Sequence, residues 1–248
     1  MKPTQVKLAV VAGYEPFGDY KGNASARIAK KLDGVQVEGI RVVGAVLRNT
    51  YDSHEILMGL VVKKRRELSL SVEEPIVVVA GGLSSSIHKV SLEAVGFNEI
   101  NAAYANADGV FVQDNRPVVV GAPGAYRTNA DLVAVSLDLA GANVPSIMST
   151  DPGRFTCNSL LFGMQHLIAS ELGARILLIY YHTGVHVGDI SGELPPSKIF
   201  HDPRWLDDGV PIMVKTLARQ AERMGANGDW TYPKPLEVGH VETLYYMK

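Results

Sequence analysis

The sequence predicts an α/β protein, a three-layer α/β/α sandwich around a mostly parallel, twisted sheet. Short β-branched runs alternate with longer segments whose apolar residues recur at helical spacing. Several of the short runs are apolar on both faces, as strands covered by helices on either side must be. No internal repeat, low-complexity tract or clear linker interrupts the alternation, so residues 1–248 are expected to form one domain.

The elements follow in order. "VKLAVVA" (Val6 to Ala12) is a strand, apolar except for Lys7 and closed by Gly13. Ser25 to Leu32 has helical spacing. Val37 to Leu47 is rich in valine and reads as one strand. Tyr51 to Leu68 is a helix with Asp52 at its start. Its basic run, Lys63 to Arg66, falls late, where cations complement the helix dipole and face solvent. Pro75 to Gly81 is a strand. Ser84 to Arg127 is less regular and rich in Ala, Asn and Gly, which predicts extended pieces and loops over one sheet edge. Asn129 to Leu139 is a helix between Asp131 and Gly141. Val144 to Ser149 is a strand. Cys157 to Leu172 is a helix stopped by Gly173, and Ala174 to His182 is the next strand. Pro211 to Met224 is the last helix, with proline at its first position. From Gly228 to Lys248, Pro233, Pro235 and three tyrosines suggest an extended tail against the body or a neighbouring subunit.

Composition narrows the function. The chain has 46% hydrophobic and 20% charged residues and a formal net charge of −2. That balance offers no basic face to a nucleic acid. No run approaches the roughly 18 apolar residues of a membrane span, and the amino-terminal apolar run lacks a cleavage pattern. A single cysteine cannot form an intramolecular disulfide, which fits a reducing compartment. The expectation is a soluble, cytoplasmic protein.

The cysteine lies in "DPGRFTCNSL", at the amino end of a predicted helix and just beyond a strand end. Ligands of open α/β sheets collect at such strand ends. A helix amino-terminus favours thiolate and offers free N–H groups to an oxyanion. A small buried residue starting a core helix is the plain alternative, and position alone leaves both open. His182 ends the next strand. If the intervening helix returns the chain beside its start, Cys157 and His182 share one rim, as a nucleophile and its base would. His186, His166, His54, His88, His201 and His240 have no such placement, and the one match to metal-ligand spacing, His182 with His186 at i,i+4, lies at a strand end followed by Gly184, where helical geometry is not expected. Glu93 lies in an apolar extended run, Val90 to Phe97, where an unpaired carboxylate is costly to bury. It is either the group that orients the imidazole or an edge residue facing water.

These residues carry a resemblance to pyroglutamyl peptidase I, the pyrrolidone-carboxylate peptidase family. "GYEPFG" (Gly13 to Gly18) with Asn23-Ala24-Ser25 resembles the family's amino-terminal signature. Ser149 to Asn158 matches its cysteine signature at nearly every position, with Pro152 where alanine is usual. Gly82 to Gly109 resembles the segment with the catalytic glutamate. The resemblance spans roughly residues 6–225. It implies Cys157 as nucleophile, His182 as general base and Glu93 as orienting carboxylate. It implies release of an amino-terminal 5-oxoprolyl residue from a peptide through an acyl-thioenzyme. Tyr14, Phe17, Leu83 and Phe155 then fall at substrate-binding positions, the aromatic ones about the lactam ring. No cofactor is implied, and a homo-oligomer, tetramer or dimer, is.

The sequence also departs from the family. Leu83 stands where glutamine is typical, and Ser85, Ser86 and Ile87 replace glycines and an arginine. Ala94 replaces a basic residue. Ala103 and Tyr104 occupy the region of an arginine expected near the oxyanion. Thr183-Gly184 replaces Val-Pro after the histidine. A thiol amidohydrolase acting on another small N-acyl amide is therefore the second reading. A non-catalytic member is the third, opposed by retention of all three triad positions.

Overall fold

A computed structural model describes residues 5–84, 87, 89–170, 175–186, 189, 202 and 204–236. Its elements in chain order are β1 (Leu8–Tyr14), α1 (Ala24–Leu32), β2 (Gln36–Val37), β3 (Ile40–Leu47), α2 (Ser53–Glu67), β4 (Ile76–Leu83), β5 (Val90–Glu93), β6 (Val95–Phe97), β7 (Ala125–Arg127), α3 (Leu132–Gly141), β8 (Ser146–Ser149), α4 (Thr156–Ser170), β9 (Ile176–Thr183), α5 (Arg204–Asn227) and β10 (Lys234–Leu236).

A seven-stranded sheet in the order β2-β3-β1-β4-β9-β5-β8 forms the middle layer. Its central block β3-β1-β4-β9 is parallel, and β5 joins β9 antiparallel. One face carries Ala9, Val11, Val77, Val79 and Tyr181 against Ile28 of α1, Leu139 of α3 and Met213, Val214 and Leu217 of α5. The other carries Leu8, Val10, Val78, Leu178 and Tyr180 against Leu57 and Val61 of α2 and Leu160, Leu161 and Met164 of α4. The strict alternation within β1 and β4 sends neighbouring valines to opposite cores, which is why these runs are apolar throughout. Each fully buried Val, Leu or Ile contributes about 1.5–3 kcal/mol of transfer free energy.

Several local expectations change. Val37 to Leu47 is a hairpin: Glu38 (φ 50°) and Gly39 (φ 83°) turn β2 antiparallel onto β3, since a two-residue turn of this hand needs positive φ at both positions. Asn23 caps α1 by accepting from the Ser25 N–H, and Asp131 caps α3 through the Ala134 N–H. Asp52 makes no side-chain cap at α2; the Ser53 hydroxyl donates back to Thr50 and Arg48 carbonyls there. The last helix starts at Arg204, not Pro211, which lies inside it. Its buried stripe (Leu206, Val210, Met213, Val214, Leu217, Ala221) offsets the one hydrogen bond that proline forfeits. In the described part of the carboxy-terminal stretch, β10 pairs with β7, which pairs with β6, in a small antiparallel sheet. Gly173, Leu172 and the tail beyond Leu236 lie outside the described residues.

The route that brings His182 near Cys157 also differs. β8 and β9 are not neighbours, because β5 is inserted between them. β8 runs parallel to β5 and hence antiparallel to β9. The irregular middle of the chain therefore supplies a strand of the main sheet, and Glu93 is that strand's last residue.

Candidate active site

Cys157 is the second residue of α4, and three parts of the chain fix that first turn. The Tyr14 hydroxyl donates to the Thr156 carbonyl at 2.9 Å. The Thr156 hydroxyl donates to the Asn49 side chain. The Asn158 amide accepts from the Phe97 N–H at 2.8 Å and donates to the Phe97 and Glu99 carbonyls, each at 2.8 Å. The incoming loop turns at Gly153 (φ 76°), whose N–H donates to Asp151. The thiol is 5% exposed and faces β4 at Gly82, where a Cβ would lie 2.8 Å from Sγ.

His182 lies near the end of β9, opposite Gly82 of β4 on one side and Ser91 of β5 on the other. Glu93 lies opposite Tyr180 and Ser149. This antiparallel register places the carboxylate one strand across from the imidazole. His182 Nδ1 donates to Glu93 Oε1 at 2.9 Å, and the Ser91 hydroxyl donates to the same oxygen at 2.9 Å. Glu93 is 2% exposed, so it does not face water. Burial alone would raise its pKa, but the His182 bond, the imidazolium charge and the Ser149 and Ser91 hydroxyls lower it. Burial would likewise push His182 down; the Cys157 sulfur and Glu93 override it, and the imidazole is pushed up to about 10. The arrangement can hold a proton on His182 beside the Cys157 sulfur.

All three residues line a cleft of about 790 Å³. Phe17, Leu83 and Phe155 line it too. The Phe17 and Phe155 rings stand 6.0 Å apart, and Tyr20 packs on Phe17 at 5.6 Å. Tyr14 does not line it: that side chain is fully buried beneath α4, and its role is to hold the helix start. Ala103 is also absent from the wall, whereas Tyr104 and Ala105 contribute to it. Sequence reasoning missed Tyr20, Ser91 and Ser149 as lining residues. Their only signals were an aromatic three residues beyond Phe17 and serines two residues from Glu93 or ending a strand. Arg154 is committed elsewhere: it donates to Glu99 at 2.9 Å and Asp151 at 3.0 Å and lies over the Phe97 ring. Arg127 belongs to β7 in the small sheet. No lysine or arginine lines the cleft among the described residues. Among them, too, no three His, Cys, Asp or Glu side chains group to hold a metal ion, and no helix is long and apolar enough to cross a membrane.

A sandwich of this topology with a thiol, an imidazole and a carboxylate in its cleft falls in the class of α/β cysteine peptidases, and comparison with known proteins narrows the class to one family. Residues 7–190 match the sequence model of the family described as pyroglutamyl peptidase, and the chain belongs to that family. It is 29% identical over 197 residues to the pyrrolidone-carboxylate peptidase of Pyrococcus furiosus, covering 77% of this chain and 89% of that one. Pyrrolidone-carboxylate peptidase 1 of Ralstonia nicotianae is 27% identical over 86% of this chain and 94% of its own. Crystal structures of the Pyrococcus furiosus pyrrolidone carboxyl peptidase and its cysteine-free mutant superpose with a TM-score of 0.73 at 25% identity, over 87% of this chain and 99% of the other.

Proposed function

We propose that the protein removes amino-terminal pyroglutamyl residues from peptides through a Cys157–His182–Glu93 triad. The observation that carries this is the 2.9 Å bond from His182 to buried Glu93 in the cleft that Cys157 also lines. In the mechanism, the Cys157 thiolate attacks the pyroglutamyl carbonyl carbon, and the carbonyl π electrons move to oxygen. N–H groups of the first turn of α4, which have no intrahelical acceptors, stabilise that oxyanion. Collapse breaks the C–N bond, and the leaving amine takes the proton from His182. Water then attacks the thioester while His182 accepts its proton, and pyroglutamate leaves as the C–S bond breaks. Glu93 keeps the imidazole in one tautomer and orientation throughout. Phe17 and Phe155 form the walls for the flat lactam, and Leu83 adds apolar surface.

The test is turnover of a pyroglutamyl fluorogenic amide by the parent and by Cys157→Ser. Parent turnover that Cys157→Ser retains would overturn the triad. Lack of parent turnover would overturn the pyroglutamyl assignment. The second reading, a thiol amidohydrolase of another small N-acyl amide, is favoured by the apolar Leu83 and by a cleft wall without lysine or arginine. Faster turnover of acetyl or prolyl amides would select it. We further infer one domain, a cytoplasmic location and a homo-oligomer, tetramer or dimer. The exposed apolar side chains of Val133 and Leu137 on α3 and Met148 on edge strand β8 support self-association. Sedimentation analysis reads it directly.

A further inference from the structure

Two tyrosines, Tyr180 and Tyr181, precede His182 in β9, and two glycines face them from β4. A Cβ at Gly81 would lie 2.2 Å from the Tyr181 ring, and one at Gly82 would lie 2.4 Å from Tyr180 Oη. Alternation along β9 separates the pair. Tyr181 enters the core under α1, α3 and α5, whereas Tyr180 enters the core under α2 and α4 with Cys157. Tyr180 therefore shares its face with His182, and the two rings meet edge to face at 5.2 Å and 73°.

The Tyr180 hydroxyl is fully buried and has no well-aligned hydrogen-bond partner, and the group it lies near enough to engage is the Cys157 side chain. An unpartnered buried hydroxyl is costly, and phenylalanine would fill the same space without that cost. The place of the hydroxyl suggests its use. The missing Cβ of Gly82 leaves one small space that Tyr180 Oη and Cys157 Sγ both border. A neutral thiol is a weak acceptor, but a thiolate accepts strongly. We propose that Tyr180 is a positioning residue whose hydroxyl donates a hydrogen bond to the Cys157 thiolate from beneath, opposite the cleft. The sulfur would then be held between two donors, the imidazolium of His182 and the phenol of Tyr180. Burial first, and then the neighbouring Cys157, Tyr14 and Glu93, keep that phenol protonated, and so a donor. The other titratable groups facing this pocket are Tyr14 of β1, whose hydroxyl is already engaged by Thr156, and Glu93 of β5, bonded to His182.

The proposal rests on the reading of Cys157 as an activated thiol, but its test reads alkylation and not turnover. Iodoacetamide alkylation of the native protein is followed against pH for the parent and Tyr180→Phe. The midpoint of the rate profile should move up by about one pH unit, the equivalent of one hydrogen bond to a charged group. 3-Fluorotyrosine in place of Tyr180, an isosteric and stronger donor, should move it down, and this arm serves if Tyr180→Phe does not fold. A purely structural tyrosine would leave the profile in place under both changes, and that result overturns the proposal while leaving the triad standing. A parent thiol that alkylates like free cysteine would overturn both.

Discussion

Glu93 Oε1 lies 2.9 Å from His182 Nδ1, and neither side chain is open to water. Glu93→Gln keeps the shape but removes the charge that stabilises the imidazolium. That charge keeps His182 protonated and its ring aimed for proton delivery to the leaving amine, so kcat should fall more than KM rises. The loss should be about 10² or more. Steady-state kinetics on a pyroglutamyl amide check it; an effect confined to KM would move Glu93 from the triad to substrate binding.

Gly82 sets the distance between β4 and the thiol. In Gly82→Ala the new methyl would meet Sγ at 2.8 Å and Tyr180 Oη at 2.4 Å, so both contacts must give. Overpacking of this kind costs about 1–3 kcal/mol, while a misplacement of about 1 Å costs about 10²-fold in rate. The variant should therefore fold with a modestly lower Tm and lose most of its turnover. Circular dichroism melts and kcat measured together test this. Full activity would mean that the sulfur does not work from this position.

The proton on His182 links the site to stability. Its folded value of about 10 exceeds the roughly 6.5 of an unfolded histidine. The stabilisation it contributes is thus complete below about pH 6.5 and is lost as pH rises toward about 10. The sulfur is the largest influence raising the value, so Cys157→Ala should weaken the link. Thermal melts between pH 6 and 10 should show the parent losing Tm more steeply than Cys157→Ala. Parallel slopes would show that the sulfur carries no charge that His182 senses.

The layers of the fold were legible because β1, β4 and β9 are apolar on both faces, a pattern that only helices on both sides can satisfy. The order of the strands was not. Val90 to Glu93 is four residues long, and nothing local says that it inserts between β8 and β9. A strand–helix–strand return is what pairs Cys157 with His182 in the sequence. They meet instead because α4 packs over the face of β9 and the first turn of α4 is tied to β1 and β6. The family resemblance puts Tyr14 with Phe17 and Phe155 at substrate-binding positions. In β1, however, alternation turns its side chain under α4, where the hydroxyl finds the Thr156 carbonyl. The approach of Gly81 to the Tyr181 ring and of Gly82 to the Tyr180 hydroxyl depends on the register of two strands far apart in sequence, which single-chain patterning does not carry.

Leu83 closes the last strand residue of β4 over the cleft and is 5% exposed. Its side chain can neither donate to a lactam carbonyl nor accept from a lactam N–H. Recognition of those groups would then come from backbone atoms or from other polar side chains of the cleft, such as Tyr20 and Ser84, while Phe17 and Phe155 would grip the ring without regard to its polarity. A pocket of that kind discriminates weakly between a lactam and an apolar ring of the same size, whereas one that bonds the polar groups rejects analogues lacking them. Leu83→Gln is close in volume and adds both a donor and an acceptor. It should raise the ratio of kcat/KM for pyroglutamyl over prolyl amides by roughly tenfold, the equivalent of one well-made hydrogen bond. The gain should appear as better cleavage of the lactam substrate and not merely as loss of the competitor. A parent that already cleaves pyroglutamyl amides with high selectivity, and a variant that leaves the ratio unchanged, would together show that other groups of the cleft fill the lactam's hydrogen bonds and that Leu83 is only a wall.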